Sequence, residues 1–263
     1  KAGRPYAVTA PHPGWAESDP AEWLAATQDV VERAADGHAP VSVGFSGQMH
    51  GVVVTDADLN PLRPAILWAD TRSVEQALRL AAELGVDALS RLGSSAVTGF
   101  AATSLAWLQA HEPDVLRRAV HVLQPKDWLR ARLGGAVATE PSDASGTLLY
   151  DVVAGEWSTD AVAWCGIDAA LLPPVQGSTA PAGSIVVDGR DVSAATGGAD
   201  TACALTGLGL RTGDGFVAVG SGAQVVRVMD VPQLDGTLRT HTFATAGDRG
   251  AGWYRIGAVQ SSG

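Results

Sequence analysis

Two stretches of this 263-residue chain carry side chains suited to work on a hydroxyl. Asp200 follows Gly197-Gly198 at the mouth of an Ala-rich, nearly all-apolar segment, Thr201–Leu208, that reads as a helix. A carboxylate placed there accepts a proton from a hydroxyl when the glycines let a substrate approach the backbone closely. The same position suits an ordinary helix N-cap, and nothing local separates the two readings. Met49-His50 lies in "VGFSGQMHGVVV", where one apolar run ends at Phe45 and a second covers Val52 to Val54. A chain that leaves a strand, bends at Gly47 and re-enters puts Gln48-Met49-His50 at the end of a sheet, where open α/β sheets hold ligands. The plainer reading makes His50 a hydrogen-bonded histidine near the core and Met49 a gap filler.

Other constellations carry less. Gly220-Ser221-Gly222, between two apolar runs, reads as a β-hairpin corner or as a phosphate-binding turn using exposed N–H groups. It lacks the Lys-Ser/Thr ending of a Walker loop. Asp70 and Arg72 in "WADTRS" read as a loop ion pair, worth little if exposed. Lys126-Asp127 in "PKDW" stands at a helix start, where Asp is first a capping residue. His12, His38, His111, His121 and His241 show no ligand spacing and are assigned no role. Cys165 and Cys203 lack metal-ligand spacing and suit structural thiols in a reducing cytosol.

The elements that must position these residues alternate between strand and helix. Residues 18–37, "SDPAEWLAATQDVVERAADG", read as a helix with Asp19 as N-cap, Pro20 at the first position, Glu22 completing a capping box and Gly37 past the end. Strands are expected at Val41–Phe45 and Gly51–Thr55, then helices from about Ser73 to Leu84 and over "TSLAWLQAHEP". "AVHVLQPKDWLRARLGG" gives a short strand, a turn at Pro125 and a helix stopped by Gly134-Gly135. A short strand follows at Thr147–Val152. Pro, Gly and Ser accumulate over residues 173–183, and strand and helix then resume. The last segment, "WYRIGAVQSSG", reads as the start of a helix. Such alternation is α/β.

At 46% hydrophobic, the chain can bury one large core or two smaller ones, and it shows no repeat and no low-complexity tract. A net charge of −10 and a pI near 4.9 argue against nucleic-acid and anionic-membrane surfaces. They leave room for a phosphorylated ligand held by backbone N–H groups. No apolar run approaches 18 residues, and the first fifteen residues lack the hydrophobic core of a signal peptide. A cytoplasmic location is therefore expected.

Taken in order, "PGWAESDPAEWL", "GFSGQMHGVVV", "RPAILWADTRS", "QPKDWLRARLGG", "SDASGTLLYDV" and "GGADTACALTGLG" resemble the sugar kinases of the FGGY family, and within it the xylulokinases. The resemblance implies an actin-like ATPase (ribonuclease H-like) fold. Residues 1–213 would form an N-terminal domain lacking its first strands, and 214–263 the truncated start of a nucleotide-binding domain. It implies MgATP-dependent phosphorylation of D-xylulose to the 5-phosphate. Another pentulose, a polyol or gluconate is the neighbouring substrate reading, and a non-catalytic sugar-binding relative is the contrasting one. By the same resemblance Asp200 is the general base, Met49 and His50 contact the sugar, and Gly220, Ser221 and Gly222 form a nucleotide-phosphate turn. The family turn usually reads Gly-Thr-Ser-Gly, against Gly220-Ser221-Gly222-Ala223 here. The family's opening "D-x-G-T/S" strand, whose aspartate helps place Mg²⁺, is not in the sequence, and no metal ligand is assigned. A fragment inactive by itself is expected, with sugar and ATP as partners, no nucleic acid or membrane partner, and homodimer formation left open.

Overall fold

The computed structural model describes residues 1–219, 222–248 and 251–260. Asp19 and Pro20 start the first helix, Pro20–Ala35, as the sequence implies, and the Asp19 carboxylate accepts from the Ala21 N–H at 2.9 Å. The capping box does not close. Glu22 instead accepts from the N–H of Ala7, because the N-terminal segment runs back across the helix start. The helix lays Trp23 edge-on against Trp128, 6.2 Å between ring centres. Each of these indoles is nearly buried, which contributes about 1.5–3 kcal/mol apiece.

The expected strand Val41–Phe45 is split into Ser42–Val43 and Ser46–Gly47. Both pieces pair in parallel with one returning chain: Ser42 opposite Ser193 and Val43 opposite Ala194, then Ser46 opposite Gly198 and Gly47 opposite Ala199. Gly197 makes the second pairing possible. Its φ is +96°, and a Cβ there would sit 2.2 Å from the Phe45 carbonyl oxygen. The glycine therefore admits the protein's own backbone. Arg190–Ala195 also pairs antiparallel with Pro181–Val187, and Val53–Thr55 pairs with His121–Leu123.

Beyond residue 214 the chain forms a four-stranded antiparallel sheet in the order Gly215–Val219, Gly222–Met229, Trp253–Gln260, His241–Ala244. The last stretch is thus a strand and not the start of a helix. It lies between two partners, and Trp253, Tyr254 and Ile256 are buried on it. Val226, Phe243, Tyr254 and Ile256 share one apolar cluster with Leu80, Leu105 and Leu148. The helix Ala101–His111 passes through that cluster, apolar nearly all round. The helix expected to end near Leu84 continues as Val74–Arg91, broken at Gly85 with φ +73°.

The "WADTRS" pair is not exposed. Arg72 and Asp70 side chains are each 1% accessible, 2.7 Å apart, and the guanidinium also reaches Glu17 at 2.8 Å. Its carbon lies 3.5 Å from the centre of the Trp15 ring, so stacking desolvates the pair. No helix among the described residues is long and apolar enough to cross a membrane.

Candidate active site

The two apolar runs around Gln48-Met49-His50 meet through a tight reversal. The Gly51 N–H donates to the Met49 carbonyl at 2.9 Å while His50 holds φ at +73°, a three-residue γ-turn of the positive-φ kind. Such a conformation is strained for a residue with a Cβ and persists only where its surroundings hold it. Here the imidazole stacks on Phe100 with ring centres 3.8 Å apart, and Nδ1 lies 2.7 Å from the Gly146 carbonyl oxygen. A carbonyl only accepts, so Nδ1 carries the proton and Nε2 presents a lone pair. Burial lowers the His50 pKa to about 4, against the opposing pull of the Gly146 bond and with a smaller push from His241. The ring is a neutral acceptor. Met49 also reaches Gly146, where an added Cβ would meet its terminal carbon at 2.8 Å; it is 5% exposed, and the Tyr254 hydroxyl donates to its sulfur at 3.6 Å.

The parallel register that pairs Ala199 with Gly47 sets Asp200 beside Gln48, two residues before His50. Asp200 is the first residue of the helix Asp200–Gly207, and the cap position belongs to Ala199, which has no capping side chain. The N-cap geometry is therefore not what holds Asp200. Its exposed carboxylate accepts from the Thr201 N–H at 2.6 Å and lies over the positive end of the helix. Tyr254 links the two halves of the site. Burial and then the charge of Asp200 raise its phenol well above the ordinary tyrosine value, while its hydroxyl rests on Met49.

Beneath the Gly47 turn lies a buried charge network. The Lys126 ammonium is 2.7 Å from Asp127, 3.1 Å from Asp143 and 3.5 Å from Glu140, and Arg130 closes on Asp127 at 2.9 Å. Burial opposes the lysine charge, but the surrounding acids, Asp127 foremost, outweigh it and hold the ammonium above its usual range. Asp127 is thus an ion-pair centre three residues past the cap position, which is occupied by Gln124. Glu140 accepts from the Ser142 hydroxyl, which in turn accepts from the Ala199 N–H at 3.0 Å. The network therefore reaches the residue that precedes Asp200.

Residues 1–207 match the model of the FGGY family of carbohydrate kinases, N-terminal domain. The chain belongs to that family. Its similarity to a xylulose kinase of Staphylococcus xylosus is 31% identity over 90% of this chain and 52% of the relative. For a xylulose kinase of Streptomyces coelicolor the figures are 37%, 88% and 50%. A crystal structure described as a xyloylose kinase from Brucella ovis superposes with a TM-score of 0.91 at 32% identity, over 98% of this chain and 55% of that one. The FGGY chain thus spans about half the length of the curated relatives it matches. The expected family, actin-like fold and carbohydrate-kinase class hold.

In this FGGY chain the parallel strand pair that ends at Gly47 and Ala199 leads directly into the Gln48–His50 turn on one side and Asp200 on the other. Gly220 and Ser221 lie outside the described residues, and Gly222 opens a strand. The described residues contain no group of three or more His, Cys, Asp or Glu arranged to hold a metal. The acidic cluster at Asp127, Glu140 and Asp143 is filled by Lys126 and Arg130, so it does not fit Mg²⁺. Cys165 and Cys203 are free, and burial pushes both thiols up, which suits structural roles. The sequence reading missed His241, Ser94, Phe100 and Phe243. They reach His50 through contacts between distant segments, for which no local pattern exists.

Proposed function

We propose that the protein phosphorylates D-xylulose at the 5-hydroxyl with MgATP, in the cytoplasm. The observation that supports this most is the strained His50 turn, whose Nε2 has no partner among the described residues and which follows the strand piece paired with the one that leads into Asp200. A neutral sugar hydroxyl donates to His50 Nε2, while Asp200 takes the proton of the attacking hydroxyl. That oxygen bonds to the γ-phosphorus of ATP as the bond to ADP breaks. Met49, packed under Tyr254, fixes the turn and offers only a narrow apolar surface to the sugar. We assign the phosphate-binding turn to Gly220, Ser221 and Gly222, and a boundary between sugar and nucleotide domains to residues 213 and 214. Mg²⁺ enters with ATP and is given no ligand here.

The test is an ADP-release assay on the natural gene product with MgATP and a panel of pentuloses, polyols and D-gluconate. Turnover that depends on D-xylulose is expected. Sugar binding with no turnover on any member of the panel would favour a non-catalytic relative.

A further inference from the structure

His241 has a setting that parallels that of His50. It opens the strand His241–Ala244, and its Nδ1 lies 2.7 Å from the Ser94 hydroxyl. Ser94 has one proton; given to the Ser95 carbonyl, 2.9 Å away, it leaves the hydroxyl to accept from the ring. In that arrangement the His241 proton is on Nδ1 and Nε2 keeps a bare lone pair. No hydrogen bond to Nε2 is found among the described residues, and His241 is partly exposed. Burial lowers the pKa of this ring too.

The two histidines stand against the same two aromatic rings. Phe100 is 3.8 Å from His50 and 6.2 Å from His241, centre to centre, and Phe243 is 5.8 Å and 5.6 Å from them. Phe243 lies nearly parallel to His241, at 4°. Backbone fit fixes the serine: Gly93 has φ +77°, and a Cβ there would stand 2.1 Å from the Thr242 carbonyl oxygen. The Thr242 N–H donates to the Gly93 carbonyl at 2.7 Å, so Ser94 and His241 are held in register.

We propose that His241, fixed by Ser94, is a second hydroxyl-accepting imidazole of the sugar site, and that the two imidazoles select a neutral polyhydroxylated chain against a sugar acid. This rests on the sugar-kinase reading of His50. In this arrangement two lone pairs and the Asp200 carboxylate would meet the ligand, and a sugar carboxylate would add its own charge to theirs. Lys126, the cation beside the Gly47 turn, is 3% exposed and committed to the buried acids Asp127, Glu140 and Asp143.

The test uses the natural gene product labelled with ¹⁵N-histidine, with rings assigned from His50→Asn and His241→Asn spectra. In the wild-type protein His241 should carry its proton on Nδ1; the Nε2–H tautomer would overturn the proposal without any variant. D-Xylulose should shift Nε2 of both rings, and D-gluconate should bind at least tenfold more weakly. His241→Asn keeps a donor to Ser94 but removes the acceptor, and should weaken D-xylulose binding roughly tenfold or more. His241→Gln, which returns an oxygen near the Nε2 position, should recover part of that loss. A His50 shift with wild-type affinity in His241→Asn, or His241→Gln no better than His241→Asn, would overturn the role of His241 alone. D-Gluconate binding as tightly as D-xylulose would overturn the selectivity. No shift at either ring with any sugar would overturn this proposal and the sugar-kinase reading together.

Discussion

His50 Nδ1 donates to the Gly146 carbonyl across 2.7 Å, a contact between residues 96 positions apart that leaves Nε2 as the acceptor of the ring. The bond joins the γ-turn at Met49–Gly51 to the segment that follows the helix Pro141–Ser145. It ties the shape of the turn to the tautomer of one ring.

A pH dependence of stability follows. The ring titrates near 6.5 when unfolded and near 4 when folded. Between those values the unfolded state holds more protons, so stability rises from about pH 4 to 6.5 and is flat above. The loss on acidification reaches on the order of 3 kcal/mol. His241, also lowered, acts in the same direction. His50→Asn keeps a donor for Gly146 and tolerates positive φ. Urea midpoints should therefore change less between pH 4 and 6.5 in this variant than in the wild type, while D-xylulose binding weakens. An unchanged slope would show that His50 is not the titrating group.

Gly197→Ala should separate the strands that lead into the His50 turn and Asp200. The added carbon meets the Phe45 carbonyl at 2.2 Å on a backbone held at φ +96°. Gly189 supplies the control, because its φ is +70° and nothing lies within 4 Å of a Cβ there. Gly189→Ala should cost about 1–2 kcal/mol from conformation alone. Gly197→Ala should cost more and should lower sugar binding as well, read by thermal unfolding and calorimetry. Equal losses in the two variants would mean that the clash relaxes without moving the site.

Much of the scaffold was legible because local chemistry decides it. Asp19-Pro20 starts a helix in any context, and the glycine-punctuated apolar runs fix α/β alternation. The strand Trp253–Gln260 was misread because its type is set by partners on both sides. Met49-His50 and Asp200 were visible as a turn and a helix mouth, and the motifs around them gave the family. The His50 tautomer was not visible, nor was His241, since Ser94 and His241 meet across 147 positions. The burial of Asp70 and Arg72 likewise depends on Trp15 arriving from the N-terminal segment.

The buried network makes opposite predictions for two of its members. Lys126→Met leaves Asp127, Glu140 and Asp143 with Arg130 as the remaining cation of the group, and should cost about 3–5 kcal/mol. Asp143 is held up to about 8 by burial, with Asp127 and Glu140 adding to the effect against the pull of Lys126. The unfolded carboxyl ionises near 3.8 while the folded one keeps its proton, so this residue's contribution falls as pH rises from about 4 to 8. Asp143→Asn should remove that slope and leave stability at pH 7 equal or higher. A large loss at pH 7 in Asp143→Asn would show the carboxylate to be ionised and paired with Lys126.

Asp200→Asn separates chemistry from architecture most cleanly. The amide keeps an oxygen for the Thr201 N–H at the first turn, and Ala199, held by Ser142, still fixes the entry to the helix. Fold and sugar affinity should therefore persist. The lost function is proton acceptance, so kcat should fall about 10²–10⁴-fold with KM for the sugar little changed. Calorimetric D-xylulose binding on the same preparation checks the second half of that statement. Loss of turnover together with loss of binding would assign Asp200 to holding the sugar, and near-normal turnover would reduce it to a residue of the helix turn.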